Sequence, residues 1–283
     1  MKIGILRPQF LAFGLSDIGL TRPNNEDVWE ALPEVGFFAL ADGMGGHQAG
    51  EIAAKETVAH LCNWAKKVRS RDPVELIIEL KSAIEKTNQS IYRMGKSQNA
   101  LNGMGTTLCC LFWTELGIVY AHVGDSRLYR LRDQKLELLT KDHSLLSKWL
   151  DTGELAQKCE TPFPYKNVIT RAVGTSPKAN PEIAFSLPKP NDLYFLSTDG
   201  LTDVLSTDDM EKILNRSPNL EDACKRLIQK AKIKGSSDNI TLLLIKQIEI
   251  HVFPEDLLRQ QRDDGARSER VGSDAQRAER ASG

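Results

Sequence analysis

The chain has 283 residues and a formal net charge of −1, so its charge gives no reason to expect a nucleic-acid or other polyanionic partner. With 41% hydrophobic residues it can bury a sizeable core, yet no apolar run approaches the roughly 20 residues needed to span a bilayer. Its start, M-K-I-G-I-L-R-P-Q-F, lacks the apolar region and cleavage site of a secretory leader, and five cysteines (Cys62, Cys109, Cys110, Cys159, Cys224) form no C-x-x-C pair. These features fit reduced thiols and a cytoplasmic protein, and they make a cysteine zinc site a poor reading.

Residues 10–16 and 35–41 read as strands, the second a continuous buried run, with a polar turn from Thr21 to Asp27 between them. A helix is expected over about 48–69, where Ala54, Val58, Leu61, Ala65 and Val68 make one apolar stripe. A second helix opens at Asp72-Pro73, where Asp can cap and Pro suits the first turn, and its stripe is Ile77, Leu80, Ile84, Thr87, Ile91 and Met94. Strands follow at 106–113, 118–123, 127–131 and 135–139, joined by connections short enough for antiparallel hairpins. A short helix over 144–150 and an irregular loop over 156–165 come next. The last elements are a strand at 192–198, helices at about 207–214 and 219–233, and a strand at 239–249. Grouped strands and grouped helices predict an α+β fold, a four-layer αββα sandwich of two antiparallel sheets flanked by helix pairs. Residues 1–253 form the expected domain. Residues 254–283 read as a charged, disordered tail, since from Arg259 onward Val271 is the only large aliphatic residue.

Five aspartates stand at the ends of these apolar runs, each beside Gly, Ser or Asn or, for Asp27, two residues from Asn25: Asp27, Asp42, Asp125, Asp199 and Asp238. Any one of them suits an ordinary turn. Together they suggest carboxylates gathered around cations, and an all-oxygen set selects hard ions such as Mg²⁺ or Mn²⁺. Arg22, in R-P-N-N-E-D with Glu26 and Asp27, is the side chain type that binds phosphate bidentately. The backbone carbonyl of Gly43 can add a ligand beside Asp42. His60 and His122 read as structural, His143 as shaping a loop, and His47 as a weak candidate acid. No G-x-S-x-G, P-loop or other covalent-nucleophile pattern occurs.

In order, S-D-I-G-L-T-R-P-N-N-E-D, A-L-A-D-G-M-G-G-H-Q-A-G-E-I-A, M-G-T-T-L, A-H-V-G-D-S-R-L-Y-R-L, L-T-K-D-H-S, I-T-R-A-V-G, L-S-T-D-G-L and S-S-D-N-I-T-L-L-L-I resemble the bacterial form of the PP2C-type metal-dependent serine/threonine protein phosphatases. The resemblance covers about residues 10–248. It implies hydrolysis of phosphoserine and phosphothreonine in proteins by a metal-activated bridging water, with two tightly held Mn²⁺ or Mg²⁺ ions and a weaker third. By position, Asp42 would bridge the two metals and Gly43 would ligate through its carbonyl. Asp199 and Asp238 would hold one ion, and Glu26, supported by Asp27, the other. Asp125 would serve the third ion, Arg22 would clamp the phosphate, and 147–170 would be the family's flap. Met44 stands where many eukaryotic members carry a general-acid His, which leaves the acid open. The implied partners are phosphoproteins, among them a Ser/Thr protein kinase and its substrates, met by a monomer away from nucleic acid and membrane. The alternative is a pseudophosphatase that binds phosphoproteins or a kinase without chemistry.

Overall fold

Strand alternation sorts the side chains of this chain into layers. The computed structural model describes residues 9–45, 49–152 and 168–248; the expected tail, His47, Cys159 and the whole of the expected 156–165 loop lie outside them. The strands are β1 (Gln9–Asp17), β2 (Asp27–Leu32), β3 (Phe37–Met44), β4 (Gly105–Thr106), β5 (Leu108–Trp113), β6 (Ile118–Val123), β7 (Arg127–Arg132), β8 (Lys135–Leu138), β9 (Glu182–Ser186), β10 (Leu193–Ser197) and β11 (Ile240–Ile248). The helices are α1 (Ala49–Ala65), α2 (Pro73–Ser97), α3 (Leu145–Thr152), α4 (Asp199–Thr202), α5 (Thr207–Arg216) and α6 (Leu220–Ile233).

One sheet runs β1-β11-β10-β7-β8 and the other β2-β3-β5-β6-β9, with β4 added to β3. Every pairing is antiparallel. In β3 the odd residues Phe37, Ala39 and Ala41 pack under α1 and α2 with Val58, Leu61, Leu80 and Ile84. The even residues Phe38 and Leu40 face the other sheet and meet Tyr194, Leu196, Leu243 and Ile245. On β10 and β11 the opposite parity, Phe195, Leu242 and Leu244, packs under α5 and α6 with Met210, Leu214, Leu227 and Ile228. Three apolar seams thus separate four layers, and the expected αββα sandwich is the observed one. Burying the side chains of such seams stabilises the fold by roughly 1.5–3 kcal/mol each.

Local signals set the helix starts. Asp72 accepts from the Val74 and Glu75 amides at 2.9 and 3.0 Å, and Pro73 occupies the first turn. Ser206 and Asp209 form a reciprocal capping box on α5.

Several expectations need correction. Helix α1 ends at Ala65, not 69, and Val68 reaches the core from the turn that follows. The expected strand over 106–113 is broken at Thr107, whose groups are used elsewhere. β2 and β9 were not anticipated: both are half-exposed edge strands, so their alternation is weak. Asp199 does not end a strand but opens the one-turn α4. Cys62, Cys109, Cys110 and Cys224 are buried free thiols.

Candidate metal centre

The inter-sheet seam ends in carboxylates. Asp27 and Asp42 are direct partners across the β2–β3 ladder, and Asp42 continues the even parity of Phe38 and Leu40. The break at Thr107 fixes Asp42: its N–H donates to Thr107 Oγ1 at 2.9 Å, and its carbonyl accepts from the Thr107 N–H and from Thr106 Oγ1, each at 2.8 Å. From the other sheet, Thr198 Oγ1 donates to Asp27 Oδ2 at 3.0 Å. The next residue, Asp199, starts α4, and Asp238 immediately precedes Asn239 and β11. The two sheets therefore each deliver acidic groups to one end of the sandwich.

Asn239 clasps the loop that holds Arg22 and Glu26. Its Oδ1 accepts from the Glu26 N–H at 2.9 Å, and its Nδ2 donates to the Ile18 and Asn24 carbonyls, each at 2.9 Å. Arg22 Nη2 donates to Asp238 Oδ2 at 2.7 Å, with the guanidinium half exposed. The start of α1 closes against this loop. A Cβ on Gly43 would stand 2.3 Å from the Gly50 carbonyl oxygen, and one on Gly50 would stand 2.0 Å from Glu26 Oε2. Only hydrogen at these two positions allows the approach. Asp125 sits in the turn between β6 and β7, buried at 8% exposure.

The carboxylates strain one another. Burial, reinforced by Asp27, Asp199, Asp238 and Asp125, pushes Asp42 well above the carboxylate range. Burial raises Asp27 to about 7 against the lowering hydrogen bonds of the threonines, with Asp199 and Asp238 adding to the rise. Asp125 is raised to about 7 by burial and by Asp199 and Asp142. Asp199 reaches about 6, again from burial first and Asp238 second. Two buried oxygens, Asp27 Oδ1 and Asp199 Oδ1, have no hydrogen-bond partner among the described residues. Buried polar atoms ordinarily find one. Crowded carboxylates with orphaned oxygens are what a hard divalent cation relieves, and the donors here are all oxygen, so the residues fit Mg²⁺ or Mn²⁺.

Of the expected site residues, Asp27, Asp42, Gly43, Glu26, Asp199, Asp238 and Arg22 come together, and Asp125 lies close enough to act electrostatically on Asp42. Sequence reasoning gave no role to Thr107, Thr198 or Asn239. Their signal was present in M-G-T-T-L, S-T-D-G and S-S-D-N, as hydroxyls and an amide beside the acidic residues.

A sandwich that ends in an all-oxygen acidic cluster suited to a hard cation, with a guanidinium at its edge, is the arrangement expected of a metal-dependent enzyme that handles anionic substrates. The sequence pattern of the family described as protein phosphatase 2C matches residues 23–235. The serine/threonine phosphatase stp of Listeria monocytogenes is 36% identical over 237 residues, spanning 82% of this chain and 94% of that one. The solved serine/threonine phosphatase of S. agalactiae superposes with a TM-score of 0.79 at 34% identity, over 84% of this chain and 99% of that one. The catalytic domain of the phosphatase PstP, solved in complex with two manganese ions, gives a TM-score of 0.75 at 31% identity, over 86% of this chain and 100% of that one. The chain belongs to the protein phosphatase 2C family. It is a protein phosphatase of the kind that binds manganese or magnesium.

Proposed function

We propose that this chain hydrolyses phosphoserine and phosphothreonine in proteins, with Asp42 central among the residues that would hold two tightly bound Mn²⁺ or Mg²⁺ ions. The single observation that carries this reading is the convergence of Asp27, Asp42, Asp199 and Asp238, two of them with buried oxygens that lack a hydrogen-bond partner among the described residues. Gly43 would contribute its carbonyl, Asp199 and Asp238 would hold one ion, and Glu26 supported by Asp27 the other. Asp125 would serve a weaker third ion. When bound, the ions supply Lewis acidity, lowering the pKa of coordinated water and drawing charge from phosphoryl oxygens. Arg22 binds and orients the phosphate, and its Nη2 anchor on Asp238 ties that orientation to the acidic cluster. Thr198 holds the Asp27 carboxylate by a side-chain hydrogen bond, and Thr107 fixes the backbone from which the Asp42 carboxylate projects.

The physiological setting follows the same reading. The substrates are phosphoproteins that include a Ser/Thr protein kinase and its targets, as befits relatives named serine/threonine phosphatase. The protein works as a cytoplasmic monomer; among the described residues no helix is long and apolar enough to cross a membrane. The test is Mn²⁺-dependent phosphate release from a phosphothreonine peptide by the purified chain, compared with Asp42→Asn. Equal turnover by the two would overturn the assignment.

A further inference from the structure

A second ionisable cluster lies beside the Asp125 turn. Ligand atoms of His122, His143 and Glu182 all fall within 4.8 Å of one another, which invites a metal-site reading. The hydrogen bonds exclude it. The Gly124 N–H donates to His143 Nδ1 at 3.1 Å, so the Nδ1 lone pair is used and the ring proton sits on Nε2. Glu182 Oε1, 3.1 Å from Nε2, takes that proton's hydrogen bond. A cation on Nε2 would drive the proton to Nδ1, against the Gly124 N–H. The Arg171 guanidinium, 3.1 Å from Nε2 and 3.2 Å from Glu182 Oε1, already supplies the positive charge there.

The same bonds assign a different task. The His143 N–H donates to the Gly124 carbonyl at 2.9 Å, so residue 143 holds Gly124 by both its backbone and its ring. Gly124 has φ +103°, and a Cβ there would stand 2.7 Å from Thr107, the residue that fixes Asp42. Arg127, three residues after Gly124, grips Asp142, the residue before His143, with two bonds of 2.9 and 2.6 Å. The ring is itself held flat by stacking on His122 at 4.5 Å between centroids, and His122 Nε2 donates to the Lys141 carbonyl at 2.8 Å. The His143 carbonyl accepts from the Thr170 N–H at 2.7 Å, next to the Ser144–Ile169 bridge. Burial, with His122 and Arg171 adding, pushes His143 down to about 4, which keeps the ring neutral near pH 7.

We propose that His143 is a positioning residue whose Nδ1 lone pair fixes the Gly124 amide and thereby aims Asp125 into the metal centre. This rests on the reading of Asp125 as a ligand of the third ion. His143 touches neither substrate nor ion; it acts through the turn. It also makes the stem at 144 and 169 continuous with Asp125.

The test is calorimetric titration of the purified full chain with Mn²⁺ alone, for wild type, Asp125→Asn, His143→Phe and His143→Asn. Asp125→Asn should abolish the weakest binding event. His143→Phe keeps the shape without the acceptor and should weaken that event by about tenfold or more, the usual range for a residue that orients a ligand, with the tight events unchanged. His143→Asn places its amide oxygen near the Nδ1 position and should stay within about threefold of wild type. Two readouts are independent of activity and of metal: the ¹⁵N spectrum of the imidazole should show an unprotonated Nδ1, and the Gly124 amide should exchange faster in His143→Phe. Wild-type Mn²⁺ binding by His143→Phe, alongside loss of the weak event in Asp125→Asn, would overturn the proposal, as would an Asn variant as impaired as Phe. An Asp125→Asn isotherm identical to wild type would instead remove the ligand reading beneath it, and the proposal with it. If thermal melts show that Phe prevents folding, His143→Gln, whose amide reaches the Nε2 position and leaves Gly124 unpaired, makes the same comparison.

Discussion

Replacing Asp125 with Asn should stabilise the metal-free protein, and more so as pH rises. Asp125 ionises near 3.8 in an unfolded chain but only near 7 in the fold, because burial and the neighbouring Asp199 and Asp142 oppose its charge. Folding therefore takes up a proton between these values, and stability present at low pH is lost as pH rises from about 4 through about 7. At ~1.4 kcal/mol per pH unit the loss has a ceiling of about 4 kcal/mol at pH 8. Asn has nearly the same shape and carries no charge, so it escapes this loss. Between pH 5 and the folded value near 7, at ~1.4 kcal/mol per unit, its advantage over wild type should grow by about 3 kcal/mol, or roughly 6–12 °C in Tm for a domain of this size. Thermal melts in EDTA at pH 5 and pH 8 measure it. With saturating Mn²⁺ the order should narrow or reverse at pH 8, because only wild type gains a ligand there. A Tm difference that stays constant from pH 5 to pH 8, or a less stable Asn variant at pH 8, would refute the electrostatic reasoning.

Gly50→Ala replaces no carboxylate, yet its Cβ would collide with Glu26 Oε2; a loss of Mn²⁺ affinity of about tenfold or more by calorimetry is expected, and unchanged affinity would contradict the packing argument. Asn239→Ala removes three bonds that hold residues 18–26, so it should lower stability by about 1–3 kcal/mol in urea melts and raise KM for a phosphopeptide. Deleting residues 259–283 should leave peptide turnover intact, and a large loss of kcat/KM would show that the segment packs on the domain.

Much of the layered fold could be read from local signals. The cap at Asp72, the helical stripes and the short turns between strands depend on neighbours in sequence, and they set most element boundaries within a few residues. The edge strands β2 and β9 were invisible because half-exposed strands show little alternation. The carboxylates were legible because five strand-end or turn aspartates with small neighbours form a pattern that no core requires. Their supports were not. Thr107, Thr198 and Asn239 act across 65, 171 and 213 residues of sequence, and nothing local distinguishes such a threonine from one in an ordinary strand. His143 was expected only to shape a loop; the direction of the Gly124 hydrogen bond, which the sequence does not encode locally, gives that role its connection to Asp125.

The central claim is that carboxylates centred on Asp42 hold the ions that hydrolyse phosphoprotein esters. It is tested most directly by phosphate release from a phosphothreonine peptide in Mn²⁺, for wild type and Asp42→Asn, each checked for folding by circular dichroism. The account predicts metal-dependent turnover in wild type, abolished by EDTA and reduced by at least about a hundredfold in the folded Asn variant. A folded Asp42→Asn protein that releases phosphate at the wild-type rate would contradict it.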